Sequence, residues 1–279
     1  MSKENQIFAQ KIRIEALKIF KHRGFGHIGG SMSVVETLAV LYNGVINVDP
    51  RDPNMVSRDR LVMSKGHSVV PLYAVLAMKG FFPLDDVKTL NQPGTKFPSH
   101  CDMNLTPGVD MSTGSLGQGV SCALGMALGQ RMTGIDAKTY AIVGDGECNE
   151  GQVWETLMLA YHQKVSNLII FCDRNAQQLD GYCKDILDVG DLADKFRAFG
   201  CFTQVVNGHC TDSIEEAVQA TQEKNPEKLP SMIVLDTKKG YGCCFAEGQE
   251  MNHHYAANAE MMDSAITAAE KRLEEIRHG

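Results

Sequence analysis

The chain has 279 residues, 43% of them apolar and 22% charged, with a formal net charge of −7. That is enough apolar matter for a full buried core, and the acidic balance excludes the basic footprint of a nucleic-acid binder. No apolar run reaches the length of a membrane span, the N-terminus lacks the apolar core of a signal peptide, and nine cysteines without a Cys-x-x-Cys pair read as free thiols of a cytoplasmic protein.

Residues 4–23 carry Ile12, Leu17, Ile19 and Phe20 at helical spacing among lysines and arginines, which predicts an amphipathic helix ending at Gly24. The next stretch, Gly24-Phe-Gly-His27-Ile-Gly-Gly30, frames a histidine with four glycines. An imidazole there belongs to a close-approach loop, not to a packed helix or strand. Ser33-x-x-Glu36 has the form of a capping box and predicts a helix through about Tyr42. Residues 47–59 are polar with two prolines and read as a loop.

Residues 60–64 form a short strand pattern, followed by Lys65-Gly-His67-Ser and an apolar helix to Lys79. Again a histidine stands just past a strand end, beside a glycine. A short helix is expected over 84–90. Residues 91–115 are rich in Pro and Gly and contain Pro98-Ser-His100 and the start of Ser112-Thr-Gly-Ser-Leu-Gly117. A loop of that length is uncommon in a compact domain unless it builds a site. Residues 118–132 predict a small-residue helix able to approach another backbone closely.

The centre of the chain is Tyr140-Ala-Ile-Val-Gly144-Asp145-Gly146-Glu-Cys-Asn-Glu150-Gly. A β-rich run ends at Gly144, a helical pattern opens near Glu150, and the turn between them sets one carboxylate between two glycines. Glycine admits close approach of a bulky anion, and the carboxylate offers a hard oxygen to a divalent cation. A second apolar run, 167–173, ends at Arg174-Asn175. Neighbouring parallel strands end at one edge of a sheet, so Asp145 and Asn175 are expected to converge there.

Further strand and helix patterns alternate over 192–199, 202–206, 213–223 and 231–236, with a Gly-, His- and Cys-bearing loop at 239–257 and a charged helix at 259–277. This predicts an α/β fold: a doubly wound, mainly parallel sheet with helices on both faces, formed by residues 1–279 as one domain.

Gly-Asp-Gly followed about thirty residues later by Asn resembles the thiamine diphosphate fingerprint, and the wider set of motifs resembles the N-terminal, diphosphate-binding half of transketolase. Arg58-Asp-Arg-Leu-Val-Met-Ser-Lys-Gly-His67 and Ser112-Thr-Gly-Ser-Leu-Gly-Gln-Gly119 match family motifs in order, over nearly the whole chain. The resemblance implies thiamine diphosphate with Mg²⁺ (or Ca²⁺ or Mn²⁺) held by Asp145, Asn175 and the backbone carbonyl of Gln177. It places His67, Gly114, Ser115, Leu116, Gly144, Gly146 and Glu150 around the cofactor, with the Gly146 amide donating to the diphosphate. Glu150 matches a buried carboxylate near the contact between cofactor sites. His27 and His100 fall on substrate-facing histidines, and His253 on a third, with His254 its rival for that slot.

Two local departures stand out: His27 is followed by Ile instead of Pro, and His100 is preceded by Ser instead of Gly. The implied activity is transfer of a two-carbon ketol unit from a ketose or ketose phosphate to an aldose or aldose phosphate. Whole transketolases continue into a pyrimidine-binding domain, so the resemblance implies a C-terminal partner subunit, joined in an α₂β₂ assembly. The rival reading is the α subunit of a 2-oxo acid dehydrogenase, or another thiamine diphosphate-dependent lyase or synthase. The 2-oxo acid dehydrogenase α subunit lacks the Gly-His-x-Gly-Gly-Ser loop present here.

Overall fold

The computed structural model describes residues 3–250 and 252–279. In chain order the elements are α1 (Lys3–Arg23), β1 (Phe25–Gly26), α2 (Ile28–Met32), α3 (Val35–Val40), β2 (Arg60–Met63), α4 (Val69–Lys79), α5 (Gln118–Met132), β3 (Thr139–Gly144) and α6 (Gly151–His162). They continue as β4 (Leu168–Arg174), α7 (Cys183–Ile186), α8 (Leu192–Ala198), β5 (Phe202–Asn207), α9 (Thr211–Glu223), β6 (Ser231–Asp236), β7 (Tyr255–Ala256) and α10 (Ala259–His278).

Five strands form one parallel sheet in the order β2-β3-β4-β6-β5. Side chains alternate across it with period two. Tyr140, Ile142, Ile169, Phe171, Ile233 and Leu235 face a core shared with α1, α3, α4, α9 and α10. Ala141, Val143, Ile170, Cys172, Met232 and Val234 face the opposite core, shared with α5, α6 and α8. Both faces being covered, the middles of the three central strands are apolar on both faces, which is why they read as continuous runs. Each large aliphatic side chain buried this way contributes about 1.5–3 kcal/mol. Among the described residues no helix is long and apolar enough to cross a membrane.

Helix α1 stops where expected: Gly24 adopts φ 85, a left-handed conformation costly for other residues, and its N–H closes back on the Phe20 carbonyl at 2.7 Å. The capping box does not form. Ser33 Oγ donates to Gly30 O and to Asp173 Oδ2, and Glu36 pairs with the buried Arg13 at 2.6 Å, so α3 starts on Val34 without a side-chain cap. A buried charge needs its partner more than a helix start needs a cap. The short helix at 84–90 is a tighter 3₁₀ turn, Leu84–Thr89. A two-stranded antiparallel pair, β1 with β7, has no counterpart in the sequence reading, because two residues carry no periodicity.

Candidate active site

The loops after β2, β3, β4 and β6 all leave the sheet at its carboxyl edge, where open α/β sheets bind ligands. They enclose a cavity of about 220 Å³. A larger groove, about 720 Å³, runs between α1, α4 and α10, but it is lined by scattered surface charges and aliphatic stems. The smaller cavity is where buried polar groups converge, and it holds the chemistry.

The turn after β3 is built by hydrogen bonds to carboxylates. Asp145 is 5% exposed; its Oδ1 accepts from the Gly146 N–H at 2.8 Å and its Oδ2 from the Ala176 N–H at 2.6 Å. The Gly146 amide donates to Asp145 at the edge of the cavity that Gly146 lines. Gly146 must be glycine: a Cβ there would sit 2.8 Å from Gln178 Cβ. Burial, then the nearby Asp173 charge, raises the Asp145 carboxyl to about 6.

Asn175 follows β4. Its Nδ2 donates to Asp173 Oδ2 at 2.7 Å, and its Oδ1 accepts from the Gln177 N–H at 3.1 Å. Ala176 between them takes φ 66, a left-handed conformation unusual for alanine, which turns the chain back over the cavity. Asp173, fully buried, gathers Ser33, Lys65, Asn175 and Thr237 as donors and so ties four loops together. Its carboxyl stays below the usual range: burial opposes ionisation, and the Lys65 ammonium outweighs it.

Histidines form the other wall. Around the His27 ring, the centroids of His67, His100, His253 and His254 lie at 5.6, 5.2, 5.3 and 5.0 Å. His67 and His253 are 4.7 Å apart. Burial is the main cause that lowers His27 to about 4 and His253 to about 3; neighbouring imidazoles and Lys239 add to it. His67 is pushed well below 6.5 and His100 is lowered, both by burial first. Near neutral pH this wall is a set of neutral imidazoles, able to give and take protons.

His27, His67, His100, His253, Gly114, Leu116, Gly144, Asp145, Gly146, Asn175 and Gln177 all line the cavity. His254 faces a separate small chamber behind His27, whereas His253 lines the cavity itself. Ser115 and Glu150 are exposed and lie outside the lining. The buried acid of this turn is Glu147, whose carboxylate accepts from Ser64, Gly117 N–H and Gly144 N–H.

Sequence reasoning passed over Glu147, Lys65 and Lys239. Lys65 sits beside His67 at a strand end, and that adjacency was the available signal. Lys239 follows β6 in a glycine-bearing loop; its Nζ donates to Gln178 O at 3.0 Å, and burial, then Lys65, lowers it to about 8.

The donor set fits a hard divalent cation carrying a diphosphate. Asp145 and the Asn175 amide bring hard oxygens to the lining of one cavity, Asp145 is buried there, and Gln177 Oε1 and Gln178 Nε2 are buried without protein partners.

Residues 4–273 match the family described as transketolase, thiamine diphosphate binding domain. The chain is 48% identical over 263 residues to the 6-deoxy-6-sulfo-D-fructose transketolase subunit of Clostridium sp. (strain MSTE9), covering 94% of this chain and 95% of that one. It is 33% identical over 271 residues to an apulose-4-phosphate transketolase subunit of Phocaeicola vulgatus, covering 97% and 95%. Among solved structures, the transketolase from Leishmania mexicana superposes with a TM-score of 0.87 at 29% identity, and that from Campylobacter jejuni with 0.89 at 28%. These cover 100% and 98% of this chain but only 45% and 43% of the solved ones.

Proposed function

The chain belongs to the transketolase family, as an N-terminal subunit carrying the thiamine diphosphate-binding domain, and on that footing we propose that it works with a separate C-terminal subunit to move a two-carbon ketol unit from a ketose to an aldose. The observation that carries this reading is one cavity uniting Asp145 and Asn175 with four imidazoles, His27, His67, His100 and His253. Binding a diphosphate alone needs none of those histidines. The 2-oxo acid dehydrogenase reading is not favoured, since family and full-length relatives alike are transketolases.

In this reading Asp145, the Asn175 side chain and the Gln177 carbonyl would hold Mg²⁺, which would supply positive charge for a diphosphate. When bound, thiamine diphosphate supplies the electron sink for cleavage of the ketose C–C bond. This chain's part is positioning and proton movement. His27 and His100 take and return protons at the sugar hydroxyl and carbonyl oxygens, and His253 hydrogen-bonds the same substrate. His67 and Lys239 border the diphosphate, and burial of these groups keeps bulk water from competing. Residues 1–279 act as one domain.

The partner is a pyrimidine-binding subunit, paired two and two as α₂β₂ in the cytoplasm. Relatives of matching length that are themselves named as transketolase subunits support that division. The first donor to test is 6-deoxy-6-sulfo-D-fructose, because a relative named for it shares 48% of its residues; pentose phosphates come second.

The test is a reaction of the two-subunit complex with cofactor, Mg²⁺, a ketose donor and an aldehyde acceptor. Formation of the two-carbon-extended ketose without CO₂ supports ketol transfer. CO₂ release from a 2-oxo acid would contradict it.

A further inference from the structure

The parallel strands β5 and β6 end side by side, with Asn207 in register with Asp236, so the turns that follow them meet. The turn after β5 carries His209, outside the lining of the active-site cavity. The turn after β6 carries Lys238 and Lys239 and opens the loop that leads to His253. The Lys238 N–H donates to His209 Nε2 at 2.8 Å, and the Gly208 N–H donates to the Asp236 carbonyl at 2.9 Å. An imidazole nitrogen that accepts carries no proton, so the His209 proton sits on Nδ1.

Behind His209 stands a buried charge pair. Nδ1 faces Glu36 Oε2 at 3.6 Å, too long for a hydrogen bond but close enough for an electrostatic contact. Glu36 Oε1 accepts from Arg13 Nη2 at 2.6 Å, and Arg13 Nε donates to the Tyr241 carbonyl at 3.2 Å. The Tyr241 ring lies flat on His209, with centroids 3.6 Å apart and planes 16° from parallel. Gly242, at φ 74, leaves room for Arg13: a Cβ there would fall 2.6 Å from its Nε. Residues 238–242 are thus held from one side by groups of α1, α3 and the turn after β5.

Lys239 lies within that grip and belongs to the cavity. It is 2% exposed, lines the cavity, and donates from Nζ to the Gln178 carbonyl at 3.0 Å. One carbonyl dipole does not balance an ammonium, and burial and the Lys65 charge both work against it. An ammonium so placed is drawn toward water unless its backbone is fixed or an anion joins it.

We propose that His209 is a positioning residue for the cofactor site. By holding the Lys238 amide, with Glu36 and Arg13 behind it, His209 keeps the Lys239 ammonium in the cavity to meet the cofactor's diphosphate. This rests on the transketolase reading. The gain is pre-organisation: the cation's place is set before the anion arrives, so binding does not have to order the loop.

The experiment titrates thiamine diphosphate, and separately inorganic diphosphate, into the two-subunit complex with Mg²⁺ present. Lys239→Met should weaken both by about tenfold or more, the scale of one hydrogen bond to a charged group. His209→Ala should weaken both by on the order of fivefold, as for coupled residues in contact. His209→Gln keeps an acceptor for the Lys238 N–H and should regain most of that loss. Combining His209→Ala with Lys239→Met should weaken binding no further than Lys239→Met alone. A His209 that merely supports the fold would lower stability in urea with both affinities parental, or cost the same affinity in either background; each result would overturn the clamp. So would a His209→Gln variant that binds as poorly as His209→Ala. Where His209→Ala does not assemble, Tyr241→Leu keeps the acceptor and removes the ring that covers it. Weakened binding that disappears as a separate effect in the Lys239→Met background supports the clamp, and parental affinity overturns it. A parent complex that binds neither ligand would instead overturn the functional reading, and the clamp with it.

Discussion

Asp145 and Ala176 lie thirty-one positions apart in the chain, yet the Ala176 N–H donates to Asp145 Oδ2 across 2.6 Å. That bond brings the turn after β3 onto the turn after β4 and sets the Asp145 carboxylate beside the Asn175 amide. Asn175 gives its nitrogen to Asp173 and accepts from the Gln177 N–H at its oxygen, so the second lone pair of that oxygen is the one proposed for a cation. Asp145→Ala removes a proposed oxygen ligand and the anchor of the neighbouring turn; Asn175→Ala removes a proposed ligand together with its hydrogen bonds to Asp173 and the Gln177 N–H. Both should weaken Mg²⁺-dependent cofactor binding by on the order of 10–100-fold or more, with the fold retained. Titration of cofactor into the assembled enzyme checks this, and unchanged metal dependence in both variants would displace the site.

His27→Ala and His100→Ala should leave cofactor affinity nearly intact, because neither imidazole belongs to the diphosphate-holding set. Turnover should fall by roughly two to four powers of ten, the range for loss of a general acid or base. Steady-state rates at saturating substrate decide the point. Parental turnover in either variant would reduce that histidine to loop structure.

Gly114 has φ 143, and a Cβ on it would lie 2.9 Å from His100 Cδ2. Gly114→Ala should therefore push His100 out of place as well as strain the backbone, at a cost of about 1 kcal/mol or more. The expected result is slow turnover with cofactor affinity nearly kept, like His100→Ala but with lower stability in urea. A variant with parental rates and stability would show that the loop simply yields.

Most of the sheet was legible because strands buried on both faces are continuous apolar runs, and β3, β4 and β6 fell within a residue or two of expectation. Asp145, Asn175 and the four histidines of the cavity were legible because each stands just past a strand end or in a glycine-rich loop. The Ser33 capping box was not, since its failure depends on Asp173, 140 positions away. Glu147 and Lys239 were hidden for the same reason: their burial is made by loops that meet only in three dimensions. The β1–β7 pair, which decides how His254 sits, leaves no pattern in two residues.

Acid should loosen the fold through the imidazole wall. His27 and His253 have folded values of about 4 and about 3 against 6.5, and His67 and His100 are lowered too. Between pH 6.5 and about 4 the unfolded chain binds protons that the folded chain refuses, so stability is fully present above pH 6.5 and drains as pH falls. Asp145, raised to about 6 from 3.8, and Glu147, raised by burial, pull the other way, but they are two groups against four. Thermal melts without cofactor should show Tm falling steadily from pH 7 to pH 5. A flat or rising Tm over that interval would contradict the buried neutral imidazoles.

The central claim is a division of labour: this chain holds the diphosphate and handles protons at the sugar, and a second chain completes the enzyme. The most direct measurement is ketol transfer by the purified chain alone and by the chain mixed with its C-terminal partner, with thiamine diphosphate and Mg²⁺ present in both. The isolated chain should show no transfer, and turnover should appear on mixing and saturate at one partner per chain. Full turnover by the isolated chain would contradict it.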